Sequence, residues 1–450
     1  MHVIVIGLGQ VGRHVTRRLE QNGHDIVAID SDPEALTWIS EQCDVMTLQG
    51  FGASPAVLAR ARCEQAGLVI AVTDDDEVNL LASISAKRLG AKRAVARVKR
   101  SDWAPNQKHH RGIAYNVLGV DVIFNPDILL AHEITNIAQS HGALDVIDIA
   151  SDRIDVAQMG LGEHGHMLRK PLSELTLPKG VLIGAIVRAG ELRVPGGADV
   201  LLPKDRIYLI GHPQRVLEAE DRFSDKREAR RVCIFGGGMI GTTLAEELKP
   251  FDTRILIIEP DRQHAEDLAV GLAHTTVLHG DATDLGLLEE EEIHRYDLFA
   301  AVSDDDEENL MAGLLAKRLG VERVVSIVQR PDYMPIYQNL GIDVVLSPRI
   351  VASEHILQYF HQAGLQSVTP LEGGKAELLE FIISSDCANL DLPVRKMNIP
   401  RGALMCAILR GERTIVPTGD DTIQTGDHVI LLTTPSARAQ ATRLFQSRSN

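Results

Sequence analysis

Short apolar segments alternate with amphipathic segments through the first third of the chain. The apolar segments are rich in Val and Ile, beginning with residues 2–6, and are typical of buried β-strands. The segments between them, such as 11–21, repeat their apolar residues at helical spacing. Strict alternation of strands and helices is typical of a doubly wound parallel sheet with right-handed crossovers. We therefore predict an α/β lobe over residues 1–142.

The pattern changes after this lobe. Residues 143–212 carry shorter alternating runs separated by Gly and Pro, which predicts a small α+β lobe with mostly antiparallel strands. Residues 213–230 are densely charged and almost free of large apolar side chains. We interpret this segment as an exposed linker, with a short charged helix as the alternative.

The whole arrangement then repeats. Residues 72–90 (VTDDDEVNLLASISAKRLG) and 302–320 (VSDDDEENLMAGLLAKRLG) are identical at thirteen of nineteen positions without a gap. The small lobe recurs as well. We therefore predict a second large lobe over 231–363 and a second small lobe over 364–450. The chain is α/β in class, with two tandem units, each a doubly wound parallel sheet followed by a small α+β C-terminal lobe.

A glycine-rich turn follows the first strand of each unit. In the first unit Gly7, Gly9 and Gly12 form GxGxxG at the start of a helix. The first glycine permits the tight turn, the second lets a pyrophosphate approach the backbone, and the third lets the helix pack close to the sheet. The phosphate would then lie at the positive end of that helix. This pattern indicates a Rossmann-like dinucleotide site, with a plain turn in a structural domain as the alternative.

An acidic residue ends the second strand of each unit, eighteen residues beyond the last glycine: Asp30 after Gly12 and Glu259 after Gly241. Such a carboxylate accepts hydrogen bonds from ribose hydroxyls and repels a 2′-phosphate, which favours NAD or an adenine nucleotide over NADP. We expect both units to bind such a cofactor. The candidate positions in the two turns are Gly7, Leu8, Gly9, Gln10, Val11 and Gly12, and Gly236, Gly237, Gly238, Met239, Ile240 and Gly241.

A second polar motif lies at the carboxyl end of the fourth strand. It begins with Thr73 and Asp74 in the first unit and with Ser303 and Asp304 in the second. Acids at this place could simply cap the following helix and complement its dipole. However, doubly wound sheets bind ligands at the carboxyl ends of the strands beside the switch point. We therefore expect Thr73 and Ser303 to line the pocket.

The two units differ at one candidate position and by one insertion. Arg97, at the end of the fifth strand, is a candidate partner for phosphate, whereas the matching residue of the second unit is Ile327. The first unit also carries an insertion near 106–114 that contains His109 and His110. Adjacent histidines on a solvated insertion are a weak sign of a metal site, so we predict no metal.

Charge and cysteine content narrow the function classes. With 46 basic and 62 acidic residues the formal net charge is −16, which argues against a nucleic-acid partner. The five cysteines lie far apart without CxxC, so neither a zinc site nor a disulfide framework is indicated, and reduced cytosol is the expected compartment. We find no signal-peptide pattern and no long uninterrupted apolar stretch. Any association with a membrane would therefore be through a partner.

Several stretches together carry a family resemblance. They are GLGQVG with Asp30, TDDDEVNLLASISAKRLG, VARVKRSDW and GVDVIFNPDILLAHEI, with their second-half counterparts. In this doubled order they resemble the regulatory subunits of Trk-type bacterial potassium uptake, which are built from two tandem KTN (RCK) units. The resemblance covers essentially the whole chain. It also adds Asp281 to the candidate site, because GlyAspAlaThr at 280–283 is family-like, whereas the first unit has GlyPheGlyAla at 50–53.

The resemblance implies a cytoplasmic protein, peripheral on the inner face of the membrane and docked on an integral membrane potassium translocator. It implies a ring, a homotetramer, in which nucleotide occupancy biases the gate of the translocator. The implied cofactor is NAD(H), with ATP or ADP at the same clefts as an alternative. The antiparallel small lobes could pair with copies of themselves to close such a ring.

Two other functions stay open at this stage. An NAD-dependent oxidoreductase is disfavoured, since none of the six tyrosines opens a YxxxK pair and the small lobes offer no convergent acid and base. We therefore predict no catalytic residue. A regulator of another ion or metabolite carrier is the second alternative, because nothing in the sequence identifies the transported species.

Overall fold

The computed structural model describes residues 1–21, 23–100, 103, 118–150, 153–163, 167–224, 228–357, 359 and 365–445. The insertion near 106–114, with its two histidines, lies outside these residues.

The first large lobe is a six-stranded parallel sheet, which confirms the predicted doubly wound fold. Its strands are β1 (His2–Ile6), β2 (Asp25–Asp30), β3 (Met46–Gln49), β4 (Leu68–Ala71), β5 (Ala94–Arg97) and β6 (Val122–Phe124). Their order is β3-β2-β1-β4-β5-β6, so the topology switches between β1 and β4. The helices are α1 (Gln10–Gln21), α2 (Pro33–Gln42), α3 (Pro55–Arg60), α4 (Asp76–Leu89) and α5 (Pro126–Gln139), the last of which leaves the sheet.

The first small lobe is a five-stranded antiparallel sheet, as predicted. Its strands, in the order β10-β9-β11-β8-β7, are β7 (Ala143–Ile149), β8 (Ile154–Gly160), β9 (Val181–Arg188), β10 (Glu191–Arg193) and β11 (Arg206–Gly211). For the first eight residues of the predicted linker the alternative, a short charged helix, is correct, since Pro213–Glu220 form helix α6. Val216 and Ala219, three residues apart, are buried against the sheet, so two apolar residues on one face dock an otherwise charged helix.

The second large lobe repeats the first. Its parallel strands, in the order β14-β13-β12-β15-β16-β17, are β12 (Arg231–Phe235), β13 (Arg254–Glu259), β14 (Thr275–His279), β15 (Leu298–Ala301), β16 (Arg323–Ile327) and β17 (Val344–Leu346). Its helices are α7 (Met239–Leu248), α8 (Arg262–Gly271), α9 (Leu285–Glu290), α10 (Asp306–Leu319), α11 (Met334–Leu340) and α12 (Pro348–Leu357).

The second small lobe is again a five-stranded antiparallel sheet, followed by helix α13 (Pro435–Arg443). Its strands, in the order β18-β19-β22-β20-β21, are β18 (Leu365–Leu371), β19 (Ala376–Ile382), β20 (Ala403–Arg410), β21 (Arg413–Ile415) and β22 (His428–Thr433). None of the helices in the described part of the chain has the length and apolar character needed to span a bilayer.

The last helix of each large lobe packs on the other half of the chain. Leu130 and Ile134 of α5 are fully buried in one core with Leu244 of α7, in the second half. Reciprocally, Ala352 and Ile356 of α12 are buried with residues of β1 and α1 in the first half. The predicted boundaries at 142 and 363 therefore separate the sheets but not the packing units, because each large lobe is completed by a helix from the other.

The two small lobes pack against each other. Ile154 and Ile210 of the first share one buried core with Leu378 and Ile430 of the second. The side chain of Glu372, a residue between β18 and β19, accepts hydrogen bonds from the first small lobe. One pairing of small lobes thus takes place within the chain, and the pairing of small lobes with other copies stays a prediction.

Candidate nucleotide-binding clefts

The first glycine turn connects β1 to α1. Gly7 has a φ of +91°, which side chains rarely adopt, and a Cβ there would lie 2.7 Å from the backbone nitrogen of Thr73. A Cβ on Gly12 would lie 1.8 Å from the carbonyl oxygen of Gly7. A Cβ on Gly9 would meet nothing within 4 Å. The first and third glycines are therefore required by the turn itself, and the space beside the second remains open.

The second turn has the same division. Gly236 has a φ of +104°, and its Cβ would lie 2.8 Å from the backbone nitrogen of Ser303. A Cβ on Gly241 would lie 2.0 Å from the carbonyl oxygen of Gly236, whereas one on Gly238 would meet nothing within 4 Å. The two halves thus present the same open backbone at a helix N-terminus, the geometry that accepts a pyrophosphate.

Asp30 holds the first turn in place from the end of β2. One carboxylate oxygen accepts the amide of Leu8 at 2.5 Å, and the other accepts the amide of Asp32 at 3.0 Å. Since each carboxylate oxygen has two acceptor positions, both can still accept a ribose hydroxyl. The predicted ribose-binding acid is therefore also a support of the glycine turn.

Glu259 makes the same two bonds in the second half. Its oxygens accept the amide of Gly237 at 2.8 Å and that of Asp261 at 3.0 Å. The longer side chain is 7% exposed, so it lies deeper than Asp30. The repeat therefore preserves the hydrogen-bond pattern although the acid differs.

The strand-four motif is fixed by an asparagine that sequence reasoning missed. Asn79 accepts both the amide (2.8 Å) and the hydroxyl (2.7 Å) of Thr73 and donates to its carbonyl (2.9 Å). Asn309 accepts the amide of Ser303 at 2.9 Å and donates to its carbonyl at 2.8 Å. Both asparagines are fully buried. The available signal was an identical polar residue at the same place in both copies of the repeat.

The acids of this motif have separate tasks. Asp75 caps α4 by accepting the amide of Val78 at 2.8 Å, so the capping interpretation is correct for that residue. Asp76 is buried and accepts the amides of Lys99 and Arg100, which ties α4 to the end of β5. Asp74 takes no part in these contacts and lies at the cleft.

A cleft of about 290 Å³ lies above the first turn. Among the residues that line it are the predicted Gly7, Gly9, Asp30, Thr73 and Asp74, together with Ser31, Gly50, Phe51, Gly52 and Val78, which the motifs did not single out. The structure thus brings the predicted glycine turn, acid and strand-four motif together in one cleft. The apolar part of the lining was missed, because side chains on two further loops complete it.

Arg97 lies beside this cleft. Its guanidinium donates to the carbonyl oxygen of Thr73 at 2.8 Å and to the Asp74 carboxylate at 2.9 Å. Partial desolvation raises the pKa of Asp74, but hydrogen bonds and ion pairs with Arg97 and Lys99 outweigh it and hold that pKa below its usual value. Asp74 is therefore anionic at neutral pH and partly neutralises the positive charges of Arg97 and Lys99.

Three candidate positions have side chains that point into the core. Leu8 packs with α2, Val11 with β1 and β4, and Ile240 with α5. These residues can contribute to a site only through their backbone. Gln10 is exposed, and Met239 is half-buried at the start of α7.

The remaining candidates, Asp281 and Asp304, lie on the corresponding loops of the second half. Asp281 accepts the amide and the hydroxyl of Thr283, both at 2.7 Å, and Asp304 is exposed after β15. Among the residues that the structure describes, no group of three or more side chains is arranged to bind a metal ion.

Comparisons with known proteins agree with this doubled arrangement. The family model TrkA-N domain matches residues 3–126 and 232–348, and the model TrkA-C domain matches residues 156–224 and 378–446. The chain is 32% identical to Trk system potassium uptake protein TrkA homolog 1 of Methanosarcina mazei, over 99% of this chain and 100% of that protein. It is 31% identical to Trk system potassium uptake protein TrkA of Halomonas elongata, over 99% of both.

Solved structures show the same fold at low sequence identity. The GsuK RCK domain matches with a TM-score of 0.61 and 19% identity, over 99% of this chain and 94% of that one. The GsuK channel bound to NAD matches with a TM-score of 0.62 and 18% identity, over 99% of this chain and 78% of that one.

Proposed function

The chain belongs to the TrkA family of Trk system potassium uptake proteins, and from this premise we propose that it is a nucleotide-sensing regulatory subunit and not an enzyme. In this proposal it lies in the cytoplasm, docks on an integral membrane potassium translocator and gates potassium uptake according to the NAD(H) or adenine nucleotide that it holds. The bound molecules lie in the two glycine-turn clefts.

The observation that carries the proposal is the open second glycine of each turn. The backbone around Gly9 and Gly238 is free of neighbours, while a carboxylate from the next strand supports the turn in each half. This arrangement offers a helix N-terminus to a diphosphate and an acceptor to a ribose. It occurs twice in one chain, and the relatives named for potassium uptake span its full length.

The polar side chains of the first cleft suit binding better than chemistry. Asp30 is engaged by two backbone amides, and Thr73 is held by Asn79 through three hydrogen bonds. These groups keep the cleft in shape. A regulator needs only a ligand that binds two conformations with different affinity.

The crossed helices provide a route from each cleft to the other half. Helix α7 begins at the second glycine turn and packs against α5, which belongs by sequence to the first half. Helix α1 begins at the first turn and packs against α12 of the second half. A ligand that shifts α1 or α7 therefore also shifts a helix that belongs by sequence to the other half of the chain.

The test is ion flux through the reconstituted translocator. Vesicles that contain the translocator would be assayed for potassium or rubidium uptake with and without this chain, and then with NADH, NAD, ADP or ATP. We expect the chain to bind the vesicles and to make uptake depend on the nucleotide. Uptake that is unaffected by the chain and by every nucleotide would refute the proposal, and nucleotide-dependent flux of another solute would favour a different carrier.

A further inference from the structure

We propose that the two clefts take different nucleotides: the first binds a nucleotide with a free terminal phosphate, of the ADP or ATP kind, and the second disfavours that phosphate and takes the internal diphosphate of NAD(H). This inference rests on the proposed function, since it assumes that both clefts bind nucleotides. It is carried by four pairs of matching positions in the repeat.

Two of these pairs place cations only at the first cleft. The Arg97 side chain is 12% exposed and held by the Thr73 carbonyl and the Asp74 carboxylate, and its Nε has no hydrogen-bond partner in the described part of the chain. Lys99 Nζ lies 3.3 Å from the same carboxylate. A guanidinium fixed in this way holds a permanent positive charge beside the cleft, where it attracts a phosphate.

The second half has no charge at either position. Ile327 replaces Arg97 and is fully buried in the apolar core, and Gln329 replaces Lys99. A terminal phosphate placed at the second cleft would therefore meet the exposed Asp304, with no cation at the positions that match Arg97 and Lys99.

The other two pairs place carboxylates only at the second cleft. Phe51 and Val78 line the first cleft, and Phe51 is 54% exposed, so it offers an aromatic surface at the mouth. The matching residues of the second half are Asp281 and Glu308. Desolvation, then Asp305 and Asp281, raise the pKa of Glu308, so Asp281 lies close enough to act on it electrostatically.

At these four positions the first cleft therefore has two cations that the second lacks, and the second has two carboxylates that the first lacks. A single charge pair at about 4 Å changes affinity roughly fivefold even at the dielectric of bulk water. A free terminal phosphate carries negative charge that the internal diphosphate of NAD lacks. We expect the first cleft to bind ADP at least tenfold more tightly than the second, and this difference to shrink for NADH.

Calorimetric titration of single-cleft variants tests the inference. In the Gly238→Ala chain only the first cleft should bind nucleotide, and in the Gly9→Ala chain only the second. Each substitution should therefore lower the number of bound nucleotides per chain from two to one. We expect ADP to bind at least tenfold more tightly to the Gly238→Ala chain. Adding Asp281→Asn and Glu308→Gln, which keep shape and remove charge, should strengthen ADP binding to the Gly9→Ala chain about fivefold or more and change NADH binding less.

The same two substitutions in the otherwise unmodified chain give a readout that does not depend on the glycine variants. There they should reduce the difference in ADP affinity between the two classes of site. Arg97→Gln should lower the ADP affinity of the tighter class, and Arg97→Lys should lower it less. Equal ADP affinity at the two clefts, or affinity unmoved by neutralising Asp281 and Glu308, would overturn this inference alone. Failure of the unmodified chain to bind ADP or NADH would overturn the proposed function with it.

Discussion

At the scale of single residues, the three glycines of each turn divide into two that the fold requires and one that it does not. A methyl group on Gly7 or Gly12 would overlap backbone atoms, whereas Gly9 faces open space. In the second turn a methyl group on Gly236 or Gly241 would likewise overlap backbone atoms, whereas Gly238 faces open space. The motif is therefore partly a condition of folding and partly a condition of binding, and substitution can separate the two.

We predict that Gly9→Ala and Gly238→Ala weaken nucleotide binding at their own cleft while the protein stays folded. The added methyl group occupies the space that the pyrophosphate needs, but it touches no protein atom within 4 Å. The melting temperature and nucleotide titration of each variant check this. Gly12→Ala and Gly241→Ala serve as controls that should unfold or fail to accumulate. Unchanged affinity in either of the first two variants would show that the middle glycines are merely structural.

We also predict that both clefts prefer NADH to NADPH. Asp30 and Glu259 lie at the ends of β2 and β13, where a 2′-phosphate would have to approach a carboxylate that two backbone amides hold in place. Arg262 follows Glu259 closely and is the residue most able to relieve this repulsion in the second cleft. Calorimetric titrations with NADH and NADPH measure this preference, and equal affinities for the two dinucleotides would refute it.

At the scale of elements, the crossed helices α5 and α12 are the features on which the two halves depend. Arg323 of β16, itself buried, donates to the carbonyl oxygen of Ile137 at 2.7 Å and thereby holds the C-terminal turn of α5 in the second lobe. Thr135 of α5 also donates to Glu247 of α7 at 2.9 Å. Removing either helix would expose the apolar core of the opposite lobe.

We predict that Ile134→Ala lowers the free energy of unfolding by about 2–5 kcal/mol, the usual cost of emptying a fully buried aliphatic site. The loss should appear in the second large lobe, although the residue belongs by sequence to the first half. Hydrogen exchange resolved along the chain measures this, with Ile336→Ala, at a side chain that is 51% exposed, as the control. Faster exchange confined to residues before 142 would contradict the crossed packing.

Helix α12 should also make stability depend on pH. Burial, then the nearby Asp145, raises the pKa of Glu354 to about 8, although Arg18 opposes this. Because the carboxyl is protonated in the folded chain and ionised in the unfolded one, its contribution to stability falls as pH rises from 4.5 towards 8. We predict that Glu354→Gln raises the melting temperature more at pH 8 than at pH 5. A gain that is the same at both values would show that this carboxyl does not titrate as described.

At the scale of the whole molecule, the proposed regulation would be explained most simply by several weakly binding clefts that act on one assembly. Shifting a two-state element from 1:99 to 99:1 takes about 5.5 kcal/mol of differential binding, whereas a tenfold preference at one site supplies about 1.4 kcal/mol. One chain offers two clefts, so the proposed homotetramer would couple enough of them. The small lobes pair within the chain, and other surfaces must therefore join one chain to the next.

We predict that the response of potassium flux to nucleotide declines stepwise from the unmodified chain to a single glycine variant and then to the Gly9→Ala/Gly238→Ala double variant. Docking on the translocator should persist throughout. Light scattering gives the mass of the free chain and of the complex, and flux in the same preparations gives the response. A chain that stays monomeric on its partner, or a single variant that abolishes docking, would rule out this mechanism.

The order of elements, the parallel and antiparallel character of the sheets, the glycine turns and the acid that follows them could all be predicted from the sequence. These features are local, because strand and helix periods and the spacing from Gly12 to Asp30 depend on neighbouring residues along the chain. The duplication was equally visible, and it predicted a second glycine turn with its own acid. A helix-capping role was also predictable for this acidic motif, but the sequence does not distinguish the capping Asp75 from Asp74 and Asp76.

The surface on which each helix is buried could not be read from the sequence and is seen only in the folded chain. An amphipathic pattern over Pro126–Gln139 states that one face is apolar, but two similar lobes in one chain offer nearly equivalent surfaces to that face. The choice of the opposite lobe depends on how the whole chain closes. For the same reason the sequence could not show that the small lobes pair with each other, that Asn79 holds Thr73, or that Phe51 and Val78 complete the first cleft. The lobe pairing and the cleft lining join segments that lie far apart along the chain, and the Asn79 contact depends on the direction in which a buried side chain points.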